Sequence, residues 1–148
     1  MDEGLALAAA LGICIVGGFL PWVNTEAAVV AAALWLPPHA LPFLVLGAAA
    51  AQVLAKGALY GLARWAPRGL PRRAQAGIQR VSALAARRRS PTLTVLASST
   101  LGVPPFYLVA LACGTLAVPF GAFLSAAFVG AAVRYAVVSL AAVLVRGV

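Results

Sequence analysis

Three charged residues stand deep inside apolar sequence: Glu26, Lys56 and Arg134. Glu26 is the only carboxylate beyond Asp2 and Glu3, set in GGFLPWVNTEAAVVAAALW behind Pro21 and the polar pair Asn24 and Thr25. Taking an ionised carboxylate into hydrocarbon costs about 2.5 kcal/mol or more, so such a residue faces a cavity, pairs with a cation or carries a proton. Lys56 precedes Trp65 by about nine residues, which at ~1.5 Å per residue puts its Cα roughly 13 Å from that end of a helix. Arg134 precedes Val145 by about eleven, beyond comfortable snorkelling. Two readings follow. Glu26 can form a structural ion pair with Lys56 or Arg134, and buried pairs need not be functional. Alternatively, one acid against two cations leaves a net positive cavity that suits a phosphate or carboxylate. Glu26 is then a candidate proton carrier, with Asn24, Thr25, Ser99, Gly102, Pro104 and Pro105 lining the path.

Other chemistry finds no residues to carry it. The single histidine, His39, follows Pro38 with no acid or nucleophile at a motif spacing. Neither a phosphate loop, paired carboxylates nor zinc spacing appears, so no catalytic residue, cofactor or metal is expected and the chain is not read as an enzyme. Cys14 and Cys113 lie in apolar stretches and read as small buried side chains.

The elements that must hold these residues are apolar. The 148 residues are 64% hydrophobic and 9% charged, where soluble domains are about half apolar and a quarter charged. This composition reads as an integral membrane protein. Met1-Asp2-Glu3 replaces the basic region of a cleaved leader, so the start is expected to be mature sequence. The apolar segments run 5–20, 26–36 and 41–65, then 92–101, 106–118 and 120–145, punctuated by Pro21, Pro37, Pro38, Gly102, Pro104, Pro105 and Pro119. Each half has two short segments and a long one. About 20 apolar residues cross a bilayer core, whereas 10 to 14 suit a re-entrant helix. The expected fold is therefore all-α: two inverted-topology repeats, 5–65 and 91–146, each a re-entrant helical hairpin plus one transmembrane helix.

Between the repeats, 66–90 reads as a basic linker. Eight of the eleven Lys and Arg residues lie from Arg64 to Arg89, flanked by membrane-grade segments, so the +8 net charge points to topology and anionic lipid rather than nucleic acid. Arg73, Arg80 and Arg87 recur every seven residues, opposite an apolar stripe of Ala74, Ile78, Val81 and Ala85. That pattern describes an amphipathic helix on a membrane surface, with the three arginines touching lipid. The positive-inside rule makes this linker cytoplasmic and puts both chain ends on the other face. Trp22, Trp35 and Trp65, at segment ends, read as interfacial anchors. Small-residue runs such as GAAAAQVLAKG and SAAFVGAA permit close helix approach, and a homo-oligomer, at least a dimer, is expected.

Three blocks resemble the DedA superfamily of VTT-domain membrane proteins, near its YqaA-like branch: LPWVNTEAAVVAAAL, QVLAKGALYGLAR and, most specifically, TLGVPPFYLVALACGTLAVPFGAFLSAAFVGAAVRY. The resemblance covers nearly the whole chain. It implies two inverted re-entrant hairpins in a bacterial inner-membrane, multi-pass protein that moves a phosphate-bearing lipid, undecaprenyl phosphate or a phospholipid, across the bilayer, with proton coupling in some members. Glu26 matches the family's acid in the first hairpin, and Arg134 falls where YqaA-like members carry a basic residue in the closing helix. The chain departs from the pattern twice: the zone around Cys14 lacks a second acid, and 90–133 carries no charge, so Lys56 and Arg134 stand as substitute cationic contacts. The expected function is a flippase taking a phosphorylated headgroup between the hairpin tips. A small-solute or drug exporter, or a membrane assembly module, are the alternatives.

Overall fold

Proline and glycine punctuation, together with two polar caps, divides the apolar sequence into helices. The computed structural model describes residues 2–87 and 90–147; Arg88 and Arg89 of the basic linker lie outside them. All regular structure among the described residues is helical: α1 (Glu3–Phe19), α2 (Thr25–Trp35), α3 (Leu41–Trp65), α4 (Arg72–Arg87), α5 (Pro91–Leu101), α6 (Phe106–Thr115) and α7 (Phe120–Gly147). Asn24 caps α2, its Oδ1 accepting from the Ala27 amide at 3.0 Å. Ser90 does the same for α5 through the Leu93 amide at 3.4 Å, ahead of Pro91 at the first helical position. Gly102 ends α5 with φ 76°, a left-handed conformation that glycine adopts without a Cβ penalty.

Length sorts the helices into two groups. At about 1.5 Å per residue, α3 and α7 measure roughly 37 and 42 Å, against roughly 30 Å of bilayer hydrocarbon; α2, α5 and α6 reach only about 15–17 Å. Two helices, Pro38–Trp65 and Phe120–Gly147, are thus long and apolar enough to cross a membrane. On α7, Phe123, Ala127, Ala131, Tyr135 and Ala142 are buried, while Val129, Val133, Val137, Leu140 and Leu144 form an exposed stripe at helical spacing. A soluble helix presents polar residues on its outer face; α7 presents branched aliphatics.

The chain forms two compact units, and their boundaries divide α3 between Ala55 and Lys56 and α7 between Gly130 and Ala131 rather than falling in the basic linker. In the first unit, α1 and α2 form a helical hairpin. Gly17 of α1 meets the Thr25 methyl so closely that a Cβ would overlap it, and Gly18 meets the Ala55 methyl in the same way. Gln52 Nε2 donates to the Cys14 carbonyl at 3.3 Å, tying α3 to α1.

In the second unit, α5 and α6 pack together across the turn 102–105, where Ser98 Oγ donates to the Pro104 carbonyl at 2.6 Å. The Tyr60 hydroxyl donates to the Val118 carbonyl at 2.5 Å, and its ring lies 5.1 Å from those of Phe120 and Phe123. The amphipathic helix expected in the linker is α4. Its apolar face, however, is not spread on a membrane: Ile78, Val81 and Ala85 are buried, α4 packs on α6, and Leu108 lies against Gly77. Burial on a neighbouring helix removes the same apolar area from water that lipid would. Of the three tryptophans, Trp35 and Trp65 end helices, but Trp22 sits in the hairpin turn between α1 and α2.

Candidate binding site at Glu26 and Arg134

Asn24 fixes the first turn of α2, and that turn presents Thr25 and Glu26 together. Their partners come from α7. The Arg134 guanidinium, through Nη2, donates to Glu26 Oε1 in a salt bridge, and the next residue, Tyr135, donates its hydroxyl to Thr25 Oγ1 at 3.2 Å. Adjacent residues of one helix thus engage adjacent residues of another. Tyr135 is buried at 3% exposure and anchors the register. The salt bridge is more open, with the Arg134 and Glu26 side chains 31% and 38% exposed.

Position makes this pair unusual. Arg134 lies near the midpoint of α7, about 20 Å from either helix end at ~1.5 Å per residue. In a helix of this composition a guanidinium so placed requires a counter-charge, and Glu26 supplies it. Glu26 also lies in the first turn of α2, where the helix dipole favours a carboxylate. The guanidinium offers five N–H donors, so one carboxylate contact leaves donors for a further anion.

Of the residues expected to share one site, Asn24, Thr25, Glu26 and Arg134 are brought together in the first unit. Lys56, Ser99, Gly102, Pro104 and Pro105 belong to the second. Lys56 is 5% exposed there, with Nζ 5.8 Å from the centroid of the Phe106 ring, a cation–π placement. Ser99 Oγ donates to the Leu96 and Ala126 carbonyls at 3.1 and 3.4 Å. Its role is to hold α5 on α7, beside Gly130, where a Cβ would overlap its hydroxyl. Arg73, Arg80 and Arg87 are all exposed on α4, away from its buried face.

Glu26 and Arg134 are both legible in the sequence, but whether Lys56 or Arg134 pairs with Glu26 is not. The sequence signal for Tyr135 is its place next to Arg134, as Thr25 stands next to Glu26. No group of three or more His, Cys, Asp or Glu side chains that could hold a metal ion occurs among the described residues. No family model, curated protein or solved structure matches the chain significantly.

Proposed function

We propose that the chain is an integral membrane protein of the DedA-like type, with α1–α2 and α5–α6 as re-entrant hairpins and α3 and α7 as crossings, and that it moves a phosphate-bearing lipid across the bilayer. The observation that carries this reading is the half-open Glu26–Arg134 pair at the middle of an otherwise apolar 28-residue helix. A phosphate is the ligand for which Arg134 is best suited, since a planar guanidinium binds phosphate and carboxylate oxygens in the same forked manner. The headgroup therefore competes with Glu26 for Arg134. Protonation of Glu26 removes the competing charge, so proton uptake and headgroup binding are coupled through one cation. The exposed aliphatic stripe on α7 supports a lipid surround for that exchange.

A purely structural ion pair is the rival account, favoured by the salt bridge itself. Reconstitution into liposomes carrying a fluorescent phospholipid separates the two. Arg134→Gln is expected to abolish headgroup translocation, and Glu26→Gln to remove its pH dependence. The exchange variant Glu26→Arg/Arg134→Glu re-forms the pair in reverse. Recovery of thermal stability without recovery of translocation supports the transport reading. Undiminished translocation in folded Arg134→Gln removes the pair from any mechanism.

A further inference from the structure

The two ends of the described chain come together in the first unit. Glu3 at the start of α1, Arg146 near the end of α7, and Trp35, Leu36 and Pro37 at the end of α2 line one open cavity of about 530 Å³. Two charged side chains, both exposed, stand among its otherwise mostly apolar walls. Arg146 Nη1 donates to the Leu34 carbonyl at 2.7 Å, which caps α2 and fixes the guanidinium while leaving other N–H donors free to turn outward. Glu3 lines the same cavity and makes no ion pair with Arg146. Trp35, 66% exposed, offers its ring beside both.

Trp35 also lines a second cavity of about 220 Å³, whose other walls are Ala6, Ala10 and Ile13 of α1 with Ala28 and Ala32 of α2. The alanines keep this groove open: larger side chains at those positions would fill it. A chamber with one cation, one carboxylate and one aromatic face therefore adjoins an open apolar trough, and a single residue, Trp35, belongs to both. That juxtaposition matches one molecule with a zwitterionic head and a hydrocarbon tail.

We propose that this composite cavity binds one zwitterionic phospholipid bearing a phosphate and an ammonium group. The phosphate accepts from Arg146, the ammonium pairs with Glu3 and lies over the Trp35 ring, and one acyl chain occupies the trough between α1 and α2. Charge complementarity selects the occupant. An anionic lipid satisfies Arg146 but leaves Glu3 unpaired, and a second protein copy would have to present both charges and a chain-like apolar ridge. The site shares no residue with the Glu26–Arg134 pair, so it stands or falls independently of lipid transport.

The test uses the purified full chain in detergent, with phosphatidylethanolamine and phosphatidylglycerol carrying identical brominated acyl chains. The quenching of Trp35 fluorescence is the signal, isolated by subtraction of a Trp35→Phe variant. Phosphatidylethanolamine is expected to bind about tenfold more tightly than phosphatidylglycerol, and Arg146→Ala to weaken it by about tenfold or more, as loss of a charge-assisted contact would. Arg146→Lys, which keeps the charge, separates phosphate binding from capping of α2 and is expected to bind within a few-fold of the parent. Glu3→Gln is expected to erase the preference between the two lipids. Ala9→Leu and Ala31→Leu, both on exposed positions beside the trough, are expected to weaken both lipids alike. Equal affinity for the two lipids, or unchanged quenching in Arg146→Ala, overturns the proposal. A change in oligomeric state without a change in quenching assigns the trough to a second copy and overturns it as well.

Discussion

Arg134 is held by Glu26, a carboxylate that protonation can neutralise, as it cannot a backbone carbonyl. The need for such a partner is legible from composition: a cation in the middle of 28 apolar residues demands one. That Arg134 meets Glu26 is set by register, through Tyr135 on Thr25, and register is a tertiary property no local pattern encodes. Two residues near this cluster make separable predictions. Asn24 spends its side chain on the Ala27 amide, so Asn24→Ala is expected to lower stability by about 1 kcal/mol, read as a fall in thermal midpoint in detergent. Ser139 behaves oppositely. The residue is 2% exposed and its buried hydroxyl makes no hydrogen bond, so Ser139→Ala is expected to raise stability by about 1 kcal/mol in the same assay.

Helix boundaries were readable to within a few residues because they rest on local covalent chemistry. Proline bars the ladder, glycine permits the left-handed stop at residue 102, and Asn24 and Ser90 satisfy free amides. What each helix face touches was less readable. The stripe Ile78, Val81 and Ala85 has the spacing of a lipid-facing helix and of a protein-facing one alike, and α6 proves to be the partner. Amphipathicity states that a face must be covered, not by what. The same holds for close contacts. At Gly114 a Cβ would overlap the Tyr60 carbonyl oxygen, and backbone cannot yield as a side chain can. Gly114→Ala is expected to cost roughly 1–3 kcal/mol, whereas Gly121→Ala, in open space on α7, is expected to be neutral or stabilising by up to about 1 kcal/mol. Chemical denaturation of both variants gives the comparison. Equal stabilisation of the two variants would mean that helix propensity, not packing, governs these positions.

At the scale of the molecule, the two long helices and the shared cavity of Glu3 and Arg146 bear on sidedness. If α3 and α7 both cross, the two ends lie on one face and α4 on the other. Cys14 and Cys113 are buried and give little background to thiol reagents. Gln79→Cys on the exposed side of α4 is therefore expected to react with an impermeant maleimide from one side of the membrane alone, and Asp2→Cys from the opposite side alone. Labelling of both from one side would contradict the two-crossing arrangement. The packing of α4 on α6 has one more consequence. With its greasy side already committed, α4 could meet an anionic leaflet only through its arginines, and such a contact would be ionic, loosening as the Debye length shrinks from about 10 Å at 0.1 M salt to about 3 Å at 1 M. Ionic strength would then be a dial for this segment, lifting it from an anionic leaflet and returning it without pulling it out of oil.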